Sequence, residues 1–328
     1  MSHHRSRRDF LRFGAGLGLG YWLTEGFQAD NTRTAAAAAP GASAADQAAP
    51  PASRTTVYIM TDLEGVAGVI DSENWCKPES RYYELAKEFL TLEVNAAIEG
   101  FARGGATDFL VADGHGYGAI HPKLLDRRAQ LARNWSPPYP FSLEKGMDFA
   151  AWVGQHAMSR TELAHLAHTG SFSVYETTIN GIAVGEFGEM VFCASQLGTR
   201  TIFGSGDLAF AKEAQALVPG IETVAVKRGT IPGRGDECNA ESYAQRNLAA
   251  IHCQPERARE MILAGAERAI RRAKADTNFG IVRLKAPLER VAILRKQGDQ
   301  PKRIGRASHP DDVIALMNSP LKYEPLRE

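Results

Sequence analysis

Apolar residues come in short blocks along this chain, and between the blocks they recur at helical spacing. The blocks are "VYIM" (57–60), "FLVA" (109–112), "AAWV" (150–153), "IAV" (182–184) and "RTIF" (200–203). Short runs with no polar residue interleaved predict strands buried on both faces, as in a parallel sheet. Over 82–102, Leu85, Phe89, Leu92, Ala96 and Ala97 share one helical face, and Gly104-Gly105 supplies the stop. Over 255–274, Pro255 suits a first helical position, with Met261, Ile262, Ala266, Ala269 and Ile270 facing inward and arginines outward. Strands alternating with helices predict an α/β layered domain with a largely parallel sheet. Asn180-Gly181 is a hairpin signal, so antiparallel pairing is expected near the strand that follows it. From Arg283 onward the pattern assigns no element.

The first 55 residues read differently. "SRRDFLRFGAGLGLGYWL" sets Arg7-Arg8 before an apolar, Gly-rich stretch from Phe13 to Leu23. This resembles a twin-arginine export signal. It is too short for a membrane anchor, which needs about 20 apolar residues. "AAAAAPGASAADQAAPPAS" (35–53) is low in complexity and has nothing large to bury. The division expected is 1–39 export signal, 40–55 Ala/Pro-rich linker and 56–328 catalytic domain. The mature protein is then periplasmic or extracellular, with no stable membrane anchor after cleavage.

Composition narrows the partners. Lys plus Arg equals Asp plus Glu, at 38 each, which leaves no basic footprint for nucleic acid. A small substrate fits that balance better than a polyanion. Cys76, Cys193, Cys238 and Cys253 show no C-x-x-C spacing and read as packing residues or free thiols, with one disulfide left open.

In an open α/β sheet, ligands bind beyond the carboxyl ends of the strands. After "VYIM" come Asp62 and Glu64; after "FLVA", Asp113 and His115; after "AAWV", His156; after "IAV", Glu186; after "RTIF", Asp207. Asp62 and Glu64 lie two apart, so on extended backbone they project to one side and repel. A shared proton or a cation must offset that, and histidines converging on the same edge favour the cation. Asp62, Glu64, His115, His156 and Glu186 form a mixed nitrogen and oxygen set suited to zinc or a neighbouring divalent metal, at the carboxyl ends of the strands. Other candidates have plainer readings. Asp207 precedes "LAFAKEA" as a helix N-cap, Asp113 orients His115, caps the next turn or binds metal, and His121, His252 and His309 are ordinary loop histidines. His165 and His168 would share a face if "ELAHLAHTGS" were helical.

An ordered set of motifs carries a family resemblance across residues 57 to 265. "TDLEGVAGV", the helix with "TLEVN", "DGHG", "GQHAM", "AHT", "INGIAVGEFG", "GDLAFAKEA", "VAVKRG" and "QPERARE" occur in that order. Together they resemble the zinc-dependent D-aminopeptidases of the M55 metallopeptidase family. The resemblance implies two zinc ions, with Asp62 bridging both, Glu64 and His115 completing one shell and His156 and Glu186 the other. It also implies His168 as the catalytic histidine and a ring-like homo-oligomer acting on small peptides, D-amino-acid-directed by family, D-Ala peptides for example. Glu189 and Met190 depart from the family pattern, which carries an apolar residue and Asn there, and this implies a different substrate preference. Two alternatives stay open at this level: a dinuclear-metal amidase or esterase on another small substrate, and a non-catalytic exported protein that binds metal or peptide.

Overall fold

The computed structural model describes residues 54–327, so the expected export signal (1–39) and nearly all of the expected linker (40–55) lie outside the described residues. In chain order the elements are β1 (Thr56–Thr61), α1 (Ser72–Trp75), α2 (Tyr83–Arg103), β2 (Asp108–Asp113), β3 (Ala129–Ala132), β4 (Phe149–Gln155), β5 (Val174–Ile179) and β6 (Ile182–Val184). There follow α3 (Glu186–Leu197), β7 (Arg200–Asp207), α4 (Leu208–Leu217), β8 (Glu222–Gly229), α5 (Ala240–Arg246) and β9 (Ala250–His252). The last part holds α6 (Pro255–Ala275), β10 (Leu288–Leu294), β11 (Arg303–His309), α7 (Val313–Asn318) and β12 (Lys322–Pro325).

Seven strands form the main sheet in the order β3-β2-β1-β4-β7-β8-β9. Every neighbouring pair is parallel except β8 with β9, so the sheet is largely parallel as expected. Strand β1 shows why its apolar run is unbroken. Val57 and Ile59 pack into one core with α2 and α6, while Tyr58 and Met60 pack into another with Trp152, Phe187 and Phe210. Both faces of the sheet are covered, and alternate residues serve alternate cores.

Helix α6 buries Ile262, Ala266, Ala269 and Ile270, as its spacing indicates. Helix α2 is turned from its expected face: Ala86, Leu90, Val94, Ala97 and Phe101 are buried and Leu85 is 39% exposed. Small residues account for the rotation. A Cβ on Gly100 would collide with the Leu263 carbonyl of α6, so the Gly100 side is where the two helices approach most closely. Gly105, at φ 89°, ends α2 with its N–H on the Ala102 carbonyl at 2.9 Å.

A second sheet of five antiparallel strands, β12-β11-β10-β5-β6, was not legible in advance. The "IAV" block belongs here as β6, not to the parallel sheet. Its hairpin with β5 does turn at Asn180 (φ 49°) and Gly181 (φ 76°). The rest of this sheet is built from the unassigned region after Arg283. Among the described residues no helix is long and apolar enough to cross a membrane, and the four cysteines are unpaired.

Candidate metal centre

Strands β1, β2 and β4 are neighbours in the sheet, so the segments that follow them leave the same edge side by side. Two glycines let the segments after β1 and β4 touch. A Cβ on Gly65 would strike the Gly154 and Gln155 carbonyls, and one on Gly154, at φ 78°, would strike the Asp62 carbonyl. Gly65 N–H then bonds the Gly154 carbonyl at 2.7 Å, and Asp62 N–H bonds that of Val153 at 3.0 Å. Glu186 arrives from elsewhere, as the first residue of α3 after the second sheet's hairpin.

The side chains converge. His115 Nδ1 lies 3.3 Å from Asp62 Oδ1 and 3.1 Å from Glu64 Oε2. His156 Nε2 lies 3.0 Å from Asp62 Oδ2 and 3.3 Å from Glu186 Oε2. His168 Nε2 is 3.7 Å from Glu186 Oε1, and its ring stacks on His156 at 3.9 Å between centroids. All six sequence-derived site residues therefore meet around one cavity of about 570 Å³, whose wall includes Asp62, Glu64, His115, His168 and Glu186.

Each imidazole is held from behind. His115 Nε2 is 2.8 Å from the Cys76 carbonyl, His156 Nδ1 2.9 Å from that of Ala157, and His168 Nδ1 2.8 Å from that of Leu166. A carbonyl can only accept, so each of these outer nitrogens carries a proton and the inner nitrogen faces the carboxylates. His156 Nε2 is buried, yet it makes no hydrogen bond of acceptable geometry despite its two close carboxylates. A nitrogen so close to oxygens but not aimed at either fits a lone pair directed at a common centre. The donor set thus suits a divalent cation, and the groups Asp62–Glu64–His156 and His156–His168–Glu186 each bring ligand atoms within 4.8 Å of one another.

The electrostatics agree in sign. Burial works against a charged His115, but Glu64 and Asp62 outweigh it and push its pKa up to about 11. His156 is likewise raised, with Glu186 and Asp62 overcoming burial. Burial opposes ionisation of Asp62 and Glu186, yet the imidazoles beside them hold both carboxyls below their usual range, Glu186 at about 2. The cavity demands positive charge, which a proton or a metal ion can supply.

Residues 56–298 match the family model for Peptidase M55, described as D-aminopeptidase, so that about three quarters of the chain lies inside one family pattern. The chain belongs to the M55 peptidase family. A D-aminopeptidase of Bacillus subtilis (strain 168) is 30% identical to this M55 chain over 197 residues, which make up 58% of the chain and 70% of that relative. A solved structure, "Zn-dependent D-aminopeptidase DppA from Bacillus subtilis, a self-compartmentalizing protease", superposes with a TM-score of 0.67 at 20% identity, covering 80% of this chain and 95% of that one. The likeness to that structure establishes a shared fold.

Several M55 motif residues prove to be braces. Asp113 closes the loop behind His115 by accepting Ala119 N–H at 2.7 Å and Ile120 N–H at 3.3 Å, so it caps the turn and does not join the cluster. Asp207 sits at the N-cap position of α4 without capping it; its carboxylate accepts His165 N–H at 2.9 Å. His165 and His168 lie on irregular backbone, not on a helix, and His165 Nε2 points away to the Ile70 carbonyl at 2.8 Å. Lys227 Nζ donates to the Val69 carbonyl at 3.2 Å and lines no part of the cavity.

Other contributors escaped the sequence reading. Gln155 Nε2 lies 3.5 Å from Asp62 Oδ2 and 3.4 Å from Glu186 Oε2, bridging the two carboxylates. Its place between Gly154 and His156 in "GQHAM" was the available signal. Arg133 Nη1 and Nη2 hold the His115 and Gly116 carbonyls at 2.6 and 2.7 Å, and nothing in its surroundings in sequence marks it. The cavity wall also includes Tyr139, Glu189, Arg290 and Tyr323.

Proposed function

We propose that this chain is a zinc-dependent aminopeptidase that removes an N-terminal residue of D configuration from a short peptide. One observation carries the reading: three imidazoles, tethered through their outer nitrogens, present their inner nitrogens to three carboxylates in one substrate-sized cavity. Family membership and the names of the Bacillus subtilis relatives support the reaction, the metal and the stereochemistry. Asp62 would bridge two zinc ions, Glu64 and His115 would hold one, and His156 and Glu186 the other. Zinc, when bound, lowers the pKa of a water and polarises a carbonyl.

The remaining work falls to the protein. His168 keeps its outer proton on the Leu166 carbonyl, so Nε2 can accept a proton and return it to the leaving amine. Gln155 holds the Asp62 and Glu186 carboxylates in place, and Phe141, Phe172, Trp152 and Met60 line the cavity with apolar surface.

The test is metal content and hydrolysis of D-Ala-p-nitroanilide beside its L-isomer, before and after chelation. Bound zinc is expected, with D-selective turnover lost on chelation and regained with zinc. Turnover of L-substrates alone would overturn the stereochemical assignment. His168→Ala is expected to keep its zinc and lose roughly 10²- to 10⁴-fold in kcat; full activity, or loss of zinc, would remove the role given to His168.

Export by the twin-arginine route is a second part of the proposal, supported by Arg7-Arg8, the apolar stretch to Leu23 and the Ala-rich segment after it. An exported enzyme of this kind would meet D-Ala-containing peptidoglycan fragments. Replacing Arg7 and Arg8 by Lys should leave the precursor in the cytoplasm; an unchanged distribution on fractionation would exclude the route. A homo-oligomer is also proposed, because the superposed Bacillus subtilis protein is named self-compartmentalizing. A monomer by light scattering would exclude it.

A further inference from the structure

Besides the acidic and imidazole cluster, the cavity wall includes Tyr139, Glu189, Arg290 and Tyr323. Glu189 follows Glu186 by three residues on α3, about 4.5 Å further along the helix axis.

In this part of the wall, Arg290 Nη2 donates to Glu189 Oε1 at 3.3 Å and Nη1 to the Met317 carbonyl at 3.2 Å. The other Glu189 oxygen accepts the Tyr139 hydroxyl at 2.5 Å. Glu189 thus has both oxygens engaged, and its side chain is only 5% exposed. Arg290 is different. A guanidinium has five N–H donors, so two bonds leave three uncommitted, and Nε is buried with no partner among the described residues. Its side chain keeps 17% exposure against 5% for Glu189, and both residues line the cavity. Such a buried ion pair adds little stability over apolar residues of the same volume. A planar fork of free donors at a cavity wall matches a carboxylate, which can accept two of them in parallel.

We propose that Arg290 is a specificity-determining residue that binds a free carboxylate on the substrate, so that the enzyme prefers short peptides that bring a free C-terminal carboxylate to it. Glu189 and Tyr139 position the guanidinium. The inference rests on the aminopeptidase reading for the acidic and imidazole cluster, where the peptide's amino terminus lies.

Binding tests this separately from catalysis. The probe is a D-Ala-D-Ala analogue whose peptide bond is replaced by a CH₂–NH link, compared with its C-terminal amide, titrated by calorimetry into the zinc-loaded full chain. The acid is expected to bind about 10- to 100-fold more tightly than the amide. That preference should vanish in Arg290→Met and in Glu189→Gln/Arg290→Met, the latter leaving no stranded charge, and survive in part in Arg290→Lys. Equal binding of acid and amide, no binding of either, or a preference that persists in the double variant would overturn the proposal. Hydrolysis of D-Ala-D-Ala itself is read in parallel: a carboxylate preference without turnover keeps the role of Arg290 and sinks only the peptidase reading.

Discussion

Behind the acidic cluster sits a carboxyl group that meets no substrate. Glu93 Oε1 accepts Ala67 N–H at 3.0 Å, its other oxygen has no partner among the described residues, and burial pushes its pKa from 4.5 to about 8 against the pull of that N–H, Lys227 and Arg259. Because the folded value is the higher one, the fold favours the protonated form. Its contribution is complete below about pH 4.5 and is lost as pH rises through about 8. Glu93→Gln keeps an acceptor for Ala67 without the charge. It is expected to match the parent in unfolding free energy near pH 5 and to exceed it near pH 8, by an amount on the order of a few kcal/mol. Identical pH–stability curves for the two would refute this. Asp62, Glu64, His115, His156 and Glu186 could be read from the sequence because each follows an apolar block or a glycine, whereas His168 came only from the family motif. Thr91, Glu93 and Asn95 could be read only as a motif. Thr91 Oγ1 accepts His121 N–H at 2.8 Å and Asn95 accepts Asp126 N–H at 2.8 Å, and such partners some thirty residues away leave no local trace.

Among the elements, α2 and α6 lie closest together where their residues are smallest. Gly100 faces the Leu263 carbonyl and Gly104 faces Ile270, with no room for a Cβ at either place. Gly100→Ala should gain helix propensity but force the pair apart, for a net loss of about 1–3 kcal/mol. Chemical denaturation measures it, and a midpoint equal to or above the parent's would show that the helices can separate at no cost. Periodicity located both helices to within a residue at most ends yet turned α2 toward the wrong side. Apolar residues surround much of that helix, so hydrophobicity does not choose a face; the close approach of a second helix does. The hairpin at Asn180-Gly181 was legible from its turn, but β10, β11 and β12 were not, because their exposed faces alternate with charged residues over short lengths.

For the whole molecule, a ligand that binds only the folded chain adds to its stability. Zinc at about 100 times its dissociation constant contributes about 2.7 kcal/mol, and in a domain of this size each kcal/mol moves the melting temperature by about 2–4 °C. Chelation is expected to lower the midpoint by roughly 5–10 °C, reversibly on adding zinc back; a melting curve indifferent to chelator and to zinc would rule out an ion at the cluster. Chain order adds a consequence for biosynthesis. Every group assigned to the ions has been polymerised by Glu186, whereas Arg290 emerges about a hundred residues later, on β10, which can pair with β5 only after α6 is made. A nascent chain can therefore hold its metal ligands, Tyr139 and Glu189 while the guanidinium that pairs with Glu189 is still to be made, and discrimination between peptides through Arg290 waits until most of the chain has been translated.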